Sequence, residues 1–342
     1  MQPTERNLMM VAKQARWGIL STANIAAKVG RAIKLANGAT LVAVASRTTE
    51  RAKSWATQHG VGRAYGSYQA LLKDPEIDAV YIPLPPSMHA EWTIKAAEHG
   101  KHVLCEKPLA VNLAEATAMA AACQRNGVQL MDGVMWAHHE RTEKMKQIID
   151  SGELGQLRRT TAAFTFNWDT VPQNNIRVRP ELGGGSLGDL GYYCVRALLW
   201  SLGELPLQVY ATARYENGVD FNLAALLWFS EGRVASFDCG FDAALRKWFE
   251  VAGTQASLIC DDFTVPWKEE TARFWVHNAQ GKAAEHRVDN CIQEVRMIEC
   301  FSRIVQTGKL EPQWITDAVN TMRVCDALLR SAKERRVVDL NP

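Results

Sequence analysis

The sequence predicts an α/β protein with two parts: an N-terminal, doubly wound parallel sheet of the Rossmann type, and a C-terminal, open, mostly antiparallel sheet with helices on one face. The length of 342 residues leaves room for two domains of roughly 150 residues each. Up to about Met135, short apolar runs alternate with longer helical patterns, as a parallel sheet covered on both faces requires. Beyond Ser151, strand-like runs are separated by turn signals such as Asn217-Gly218, which is typical of hairpins.

In the first part, strands and helices are predicted in alternation. The strands are the apolar runs at 16–21, 40–46, 79–83, 102–105 and 128–131. The helices, whose apolar residues recur every three or four positions, are at 24–35, 49–59, 87–99 and 113–126. This alternation is that of βαβ units, which place helices on both faces of a parallel sheet.

The second part contains more strands than helices. The strands are predicted at 158–168, 208–215, 221–230, 233–241, 248–253 and 257–261. The helices are predicted at 141–151, 186–201, 290–307 and 315–335. We therefore expect a disordered lead at 1–14, a dinucleotide-binding domain at 15–136, and a substrate-binding and oligomerisation domain at 137–342 whose last helix packs back toward the first domain.

The composition excludes several classes of protein. Hydrophobic residues make up 47% and charged residues 22% of the chain, which is typical of folded globular proteins. The formal net charge is only +2 and no dense run of Lys and Arg occurs, so we expect no nucleic-acid partner. No uncharged apolar run approaches the roughly 18 to 20 residues that span a bilayer, and the first residues lack the apolar core of a secretory signal. We expect a cytoplasmic protein with no membrane partner.

The cysteines and histidines do not form a metal-binding pattern. None of the eight cysteines belongs to a Cys-x-x-Cys pair, which favours reduced, structural thiols over a zinc site or a disulfide framework. His138 and His139 are adjacent, so on a helix they point in different directions, and no spaced carboxylate accompanies them. We expect no metal.

The first candidate site is the turn after the first strand. A Rossmann turn reads G-x-G-x-x-G/A, because glycines let the backbone approach a pyrophosphate at the helix N-terminus. Here Ser21, Ala23 and Ala26 occupy these positions, so the side chains stay small although the glycines are absent. An ordinary strand-helix turn is the alternative. The predicted cofactor contacts in this turn are Ser21, Thr22, Ala23, Asn24 and Ile25.

The residues after the second strand favour NADP over NAD. An acidic residue there holds the ribose 2′-hydroxyl of NAD, whereas an arginine accommodates the 2′-phosphate of NADP. The chain has Ser46 and Arg47 at this place and no carboxylate before Glu50. A hydroxyl and a guanidinium together suit a phosphate dianion through charge-assisted hydrogen bonds. The alternative is a solvated arginine in a loop.

Lys107 follows the predicted strand at 102–105. Ligands of doubly wound sheets bind beyond the carboxyl ends of the strands, and a lysine placed there is suited to proton transfer. Pro108 disfavours helical geometry at Lys107, so we expect a fixed, non-helical loop.

Two motifs in this order resemble the Gfo/Idh/MocA family of oxidoreductases. The first is Glu106-Lys107-Pro108 after a Rossmann-like strand, and the second is the segment GGGSLGDLGYY at 183–193. The resemblance extends over 16–335 and implies a dinucleotide fold joined to an open antiparallel sheet. Tyr193 ends the second motif, which is similar to the group with dihydrodiol dehydrogenase, NADP-dependent D-xylose dehydrogenase and glucose-fructose oxidoreductase. Inositol dehydrogenases of the family carry histidine there.

The resemblance implies three catalytic residues. Lys107 matches a lysine beside the reacting carbinol, Tyr193 matches the acid/base group, and Asp189 matches the aspartate of the second motif. Asp189 and Tyr193 are also four residues apart and share one face of a helix. An adjacent Lys107 ammonium favours the phenolate, so we expect a lowered pKa for Tyr193. The alternatives are a helix-capping carboxylate for Asp189 and a half-buried ring for Tyr193.

The resemblance implies further contacts. Leu84 and His89 match a loop that borders the ribose and phosphates of the cofactor, although a satisfied histidine at a helix start is the alternative for His89. Arg177 resembles an arginine that holds the pyrophosphate, with a surface salt bridge as the alternative. The remaining matches are Glu106 and Lys107 at the cofactor, and Trp136 and His138 at the substrate.

We therefore expect an NADP-dependent oxidoreductase that transfers hydride between nicotinamide C4 and a carbinol carbon of an aldose, cyclic polyol or vicinal diol. Two alternatives stay open. One is a hydride-shuttling enzyme, epimerase or glycosidase-like, with a tightly bound cofactor and no net redox change. The other is a non-catalytic, cofactor-sensing protein.

The resemblance also implies a homodimer, or a dimer-based oligomer, formed through the C-terminal sheet. Apolar and aromatic side chains on one face of an open sheet are a liability in a monomer. The alternative is that helices of the same chain cover that face. The positions expected on the exposed face are Trp228, Phe229, Phe237 and Phe241.

Overall fold

The N-terminal sheet is parallel, six-stranded and of the Rossmann type, as predicted. The computed structural model describes residues 14–172 and 174–340, so all but the last residue of the predicted lead at 1–14 lies outside the described residues. The strands are β1 Ala15–Leu20, β2 Ala39–Ala45, β3 Arg63–Tyr65, β4 Ala79–Ile82, β5 His102–Cys105 and β6 Leu130–Asp132. Their order across the sheet is β3-β2-β1-β4-β5-β6, with parallel pairing throughout.

The helices between these strands follow the predicted alternation closely. They are α1 Asn24–Leu35, α2 Thr49–Gln58, α3 Tyr68–Leu72, α4 His89–Glu98 and α5 Leu113–Arg125. Side chains cap three of them, since Thr48, Ser67 and Asn112 accept from the N–H groups of Arg51, Ala70 and Glu115. The sequence analysis missed β3 and α3, because elements of three and five residues are too short to show a period.

The C-terminal sheet is open and mostly antiparallel, which confirms the second half of the predicted fold class. Its strands are β7 Leu157–Asn167, β8 Gln208–Glu216, β9 Val219–Trp228, β10 Val234–Gly240, β11 Asp242–Gly253, β12 Ala256–Cys260, β13 Thr271–Asn278, β14 Ala283–Asp289 and β15 Val338–Asp339. The order is β14-β13-β12-β11-β7-β10-β9-β8-β15. Among the described strands of this second sheet, only β7 and β10 pair in parallel. The strands that were not predicted, β13 to β15, lie at the two edges.

The helices of the C-terminal half join the two sheets. They are α6 Glu140–Asp150, α7 Tyr192–Leu202, α8 Gln293–Thr307 and α9 Pro312–Glu334. In α8, Phe301 packs its ring 5.0 Å from that of Trp17 in β1, and the Trp17 indole N–H donates to Ser302 Oγ at 3.0 Å. The last helix, α9, contacts α5 and β6 as well as β8. The predicted domain boundaries at 15–136 and 137–342 stay a prediction.

The expectation that Phe229, Phe237 and Phe241 lie on an exposed sheet face is wrong. These side chains are 3%, 3% and 0% exposed. Alternation along a strand tells which side chains share a face, but not which face the helices cover. The open face instead presents Leu226 of β9 and Trp248 of β11, at 43% and 36% exposure.

Three further features concern membrane-spanning helices, metal sites and cysteines. In the described part of the chain, none of the helices is long and apolar enough to cross a membrane. Within 14–172 and 174–340, no group of three or more His, Cys, Asp or Glu side chains is arranged to hold a metal ion. All eight cysteines are unpaired and seven of them are buried, which fits reduced, structural thiols. The cytoplasmic location stays a prediction.

A buried ion pair anchors α6 to the C-terminal sheet. Arg141 Nη1 pairs with the carboxylate of Asp262, which follows β12, and the two side chains are 1% and 2% exposed. Arg141 Nη2 also donates to the Asp262 carbonyl oxygen at 3.1 Å. Both charges have left water, so each depends on the other for compensation.

We predict that Arg141→Met lowers the free energy of unfolding by about 3–5 kcal/mol, because the Asp262 carboxylate stays buried without its cation. Urea unfolding followed by circular dichroism measures this change. The double variant Arg141→Met/Asp262→Leu leaves no unpaired charge and recovers most of the loss. A single-variant loss below about 1 kcal/mol, the range of exposed pairs, would contradict the prediction.

Candidate active site

Lys107 and Asp189, both predicted from the sequence, meet where the two halves of the chain join. Lys107 lies in the loop after β5, and its peptide bond to Pro108 is cis. Its ammonium donates to the Asp189 carbonyl oxygen and to Asp189 Oδ1, each at 2.8 Å. Both side chains are only 13% exposed. The loop at the carboxyl end of the first sheet is thereby tied to the segment that leads into α7.

Asp189 lies between two cations. Its Oδ1 pairs with Lys107, and its Oδ2 accepts from Arg177 Nε at 2.5 Å. Burial alone raises the pKa of this carboxyl, but the charges of Lys107 and Arg177 outweigh burial and hold the pKa below its usual range. The carboxylate therefore acts as the centre of an ion cluster rather than as a helix cap. Arg177, predicted at a pyrophosphate, pairs with Asp189 in this structure.

The glycine run before Asp189 allows a close approach of the backbone. Gly185 has φ of +128°, and a Cβ there would stand 2.2 Å from Asp220 Oδ1. Asp220 in turn accepts from Ser186 Oγ at 2.9 Å and from the N–H of Leu187 at 2.6 Å. The turn Leu187–Gly191 that follows is a π-helix, so the predicted helix at 186–201 begins with a wider turn.

Tyr193 is half-buried beside this cluster. The Lys107 ammonium lies over its ring, 4.9 Å from the centroid, and the ring of Phe164 is 5.7 Å away. Its hydroxyl has no hydrogen-bond partner in the described part of the chain. The hydroxyl is therefore free to bond a ligand.

The expected lowering of the Tyr193 pKa is wrong. Burial, followed by the nearby carboxylates of Glu106 and Asp189, raises the pKa well above its ordinary value, and Arg177 opposes them only in part. The ammonium of Lys107 is bonded to Asp189 and faces the ring rather than the hydroxyl. Tyr193 is consequently protonated at neutral pH.

Glu106 is buried under the same loop. Its Oε1 accepts from the Tyr81 hydroxyl at 2.5 Å, and its Oε2 accepts from the N–H of Lys107 at 3.2 Å. Burial raises the pKa of Glu106, although the Tyr81 hydrogen bond and the Lys107 charge oppose that rise. Tyr81 was not predicted as a site residue. The sequence feature that could have indicated it is a single hydroxyl-bearing residue in the otherwise apolar strand β4.

The turn between β1 and α1 fits a diphosphate. Ser21 adopts φ of +151°, a conformation that favours glycine, and its Oγ accepts from the N–H of Ala23 at 3.1 Å. Helix α1 begins at Asn24 with no side-chain cap and no acidic residue in its first turn. The N–H groups at its start, including that of Ile25, therefore point toward an anion site. Thr22 is half-buried beside them.

Ser46 and Arg47 lie at the end of β2, as predicted. Ser46 is buried and donates its N–H to the Tyr65 carbonyl oxygen at 3.0 Å. Arg47 is exposed and forms no ion pair with any acid in the ranges that the structure describes. Arg51, one turn along α2, lines a neighbouring cavity of about 400 Å³ together with Thr22. The sequence analysis missed Arg51, because a basic residue on a helix surface is a common feature.

His89 is fully buried and both of its ring nitrogens are engaged. Nδ1 lies 2.9 Å from the Pro108 carbonyl oxygen, and Nε2 lies 2.8 Å from that of Leu84. Burial lowers the pKa of His89, although these carbonyl contacts oppose the shift. The ring thus ties the loop after β4 to the loop that carries Lys107. These contacts favour a satisfied histidine at the helix start over a direct cofactor contact.

The structure does not bring Trp136 and His138 to the Lys107 cluster. The Trp136 ring is 1% exposed and lies edge to face with those of Trp200 and Phe263, at 5.6 and 5.7 Å. The His138 ring packs edge-on against Trp314 at 5.8 Å, and burial lowers its pKa to about 4. Neither ring contacts Lys107 or Tyr193 in the described structure. Their assignment to the substrate has no support in these contacts.

Comparison with known proteins identifies the family. Residues 15–134 match the model described as oxidoreductase family, NAD-binding Rossmann fold, and 142–259 match the GFO/IDH/MocA C-terminal domain. The chain belongs to the Gfo/Idh/MocA oxidoreductase family. The predicted family is confirmed, and the first sheet belongs to its NAD-binding Rossmann domain.

Three proteins are similar to this chain over nearly its whole length. D-xylose 1-dehydrogenase (NADP(+)) 2 of Haloferax volcanii is 36% identical over 95% of this chain and 99% of its own length. Trans-1,2-dihydrobenzene-1,2-diol dehydrogenase of Sus scrofa is 32% identical over 90% of this chain and 96% of its own. A 3-ketoreductase from Actinomadura kijaniata, solved with NADP and TDP-benzene, has a TM-score of 0.86 and 30% identity over 93% and 98% of the two chains.

Proposed function

We propose that the protein is an NADP-dependent oxidoreductase that transfers hydride between nicotinamide C4 and a carbinol carbon of an aldose, cyclic polyol or vicinal diol. The observation that carries the proposal is the cluster of Lys107, Asp189 and Tyr193 at the carboxyl end of β5. Ligands of doubly wound sheets bind at these strand ends. The names of the relatives above, which act on xylose, on a dihydrodiol and at a 3-keto group, support a sugar-like or diol substrate.

Two parts of the first sheet are suited to hold NADP, which supplies the hydride acceptor or donor when bound. The uncapped start of α1 and the hydroxyl of Ser21 suit the diphosphate. The exposed guanidinium of Arg47, with the Ser46 hydroxyl and Arg51, suits the 2′-phosphate. NADP over NAD is therefore the proposed preference.

The side chains of the cluster have distinct proposed roles. Tyr193 donates a proton from its hydroxyl to the substrate oxygen during carbonyl reduction, and takes one back during oxidation. Lys107 holds the same oxygen, while Asp189 keeps the ammonium in place through its two hydrogen bonds. Because the Tyr193 pKa is raised, its protonated form, which can donate to a substrate oxygen, dominates at neutral pH.

The first test follows the near-ultraviolet absorbance of reduced nicotinamide with aldoses, inositols and cyclic diols, in both directions. Turnover with any member of the panel supports the proposal. Absence of turnover, with nucleotide released when the purified protein is denatured, would favour the hydride-shuttling alternative. Absence of both turnover and bound nucleotide would favour the cofactor sensor.

Tyr193→Phe is predicted to lower kcat by roughly a hundredfold or more, because it removes the proton donor. Binding of NADPH, followed by its fluorescence, is expected to stay unchanged, since the Rossmann turn is intact. Tyr215→Phe removes an exposed hydroxyl elsewhere and serves as the control. If Tyr193→Phe keeps kcat within about tenfold of the parent, the acid/base role is wrong.

Arg47→Ala is predicted to lower the ratio of kcat/KM for NADP over NAD by more than about tenfold, the range of a lost charge-assisted hydrogen bond. The measurement is steady-state kinetics with both cofactors. Lys53→Ala removes an exposed cation of the neighbouring helix α2 and is the control. An unchanged ratio in Arg47→Ala would contradict the NADP assignment.

We also propose that the open face of the C-terminal sheet forms a homodimer. Exposed Leu226 of β9 and Trp248 of β11, with β10 and β7 between their strands, support the proposal. Light scattering at micromolar concentration is expected to give about twice the chain mass of 38.1 kDa. Leu226→Glu is expected to lower that mass, whereas Leu35→Glu on α1 is not. A monomer mass for the unmodified protein would overturn the proposal.

A further inference from the structure

A second buried polar cluster lies behind Tyr193 and joins the same two parts of the chain. Asp132, the last residue of β6, accepts at Oδ2 from the Tyr192 hydroxyl at 2.7 Å and from Arg196 Nη2 at 2.5 Å. The side chains of Asp132 and Arg196 are 3% and 9% exposed, and Tyr192 is 0% exposed. Arg196 Nε also donates to Thr321 Oγ1 in α9 at 2.8 Å.

This cluster stands beside the loop that carries Lys107. Asp132 is the strand partner of Cys105, the last residue of β5. The next residue, Gly133, donates its N–H to the Cys105 carbonyl oxygen at 2.7 Å. A Cβ on Gly133 would stand 3.1 Å from Glu106 Oε1. The ends of β5 and β6 therefore present two neighbouring anchor points to α7.

We propose that Asp132, Tyr192 and Arg196 form a clamp that positions Tyr193 opposite Lys107. The first anchor is the Lys107–Asp189 pair at the start of the α7 segment. The second is the clamp, whose Tyr192 and Arg196 lie one turn apart on α7. Tyr193 follows the first anchor and lies between Tyr192 and Arg196 of the second, so both anchors restrict its movement along or away from the first sheet. The inference rests on the proposed function, because it gives Tyr193 the proton-donating role.

The chemistry of the cluster fits positioning better than stabilisation. Removing two charges from water costs free energy that their attraction in the interior only roughly repays. Apolar side chains of similar volume would hold α7 against β6 at least as strongly, but without a fixed direction. Hydrogen bonds at 2.5 to 2.7 Å impose both a distance and an angle on Tyr192 and Arg196.

The clamp also contributes to the electrostatic environment of Tyr193. Besides burial, the charged groups that act on its hydroxyl include Asp132 itself. The charged groups that act most strongly on the hydroxyl are Glu106, Asp189, Arg177 and Asp132, and the Lys107 ammonium lies over the ring face. Replacing the Asp132 carboxylate removes one negative charge near the Tyr193 hydroxyl. This change lowers the pKa of Tyr193.

Tyr192→Phe tests the positioning role, because it removes one hydrogen bond and no charge. We expect kcat to fall by about tenfold, as a sub-ångström misplacement of a reacting group produces, with the KM for NADP unchanged. The pH dependence of kcat is expected to keep its parent shape. Ser201→Ala is the matched control, since it removes another buried hydroxyl of α7 that bonds only within the helix.

Asp132→Asn tests the electrostatic part. The alkaline limb of the pH profile for carbonyl reduction reports loss of the Tyr193 proton, so it is expected to move to lower pH in this variant. A role confined to stability would leave the limb in place. Circular dichroism confirms folding of each variant, and Tyr192→Phe keeps the test decisive should Asp132→Asn fail to fold.

The outcomes separate the clamp from the proposed function. A Tyr192→Phe enzyme with kcat within twofold of the parent, like Ser201→Ala, overturns the clamp. An unmoved alkaline limb in folded Asp132→Asn overturns it as well. Full activity of Tyr193→Phe instead overturns the proposed acid/base role, and the clamp with it. Loss of activity in Tyr193→Phe together with unaffected Tyr192→Phe leaves the function standing and rejects only the clamp.

Discussion

The ion pair between Lys107 and Asp189 is the contact on which the candidate site depends. It joins the loop after β5 of the first sheet to the π-helical turn ahead of α7, a helix in the C-terminal half of the chain. The Asp189 carboxylate faces two cations in a largely buried place, so it stays ionised. Asp189 holds the Lys107 ammonium through two hydrogen bonds, one accepted by the carboxylate and one by the backbone carbonyl oxygen. Every other candidate catalytic group is arranged around this contact.

Burial and the carboxylates around this contact keep Tyr193 protonated. A lysine aimed at a phenol hydroxyl stabilises the phenolate, whereas a lysine over the ring and bonded to a carboxylate does not. Burial and the carboxylate of Glu106 then keep the phenol protonated. The result is a phenol suited to protonate a carbonyl oxygen.

Most of the fold could be predicted from the sequence, because its long elements carry clear periods. The missed strands have physical reasons: β14 is mostly exposed and rich in charged residues, and β15 has only two residues. The convergence of Lys107 with Asp189 followed from a resemblance to known motifs and from the rule that ligands bind at strand ends. The direction of the Tyr193 pKa shift could not be predicted from the sequence, since it depends on which groups the Lys107 ammonium contacts. The roles of His89 and Trp136 likewise depend on burial, which a single residue in a sequence does not reveal.

A crystal structure with NADP⁺ and a bound polyol tests the central claim most directly. We expect the diphosphate at the start of α1, the 2′-phosphate at Arg47 and the nicotinamide ring beside Lys107. The polyol oxygen is expected between Lys107 and Tyr193. A nicotinamide ring bound away from the Lys107 loop, or a polyol that contacts neither Lys107 nor Tyr193, would contradict it.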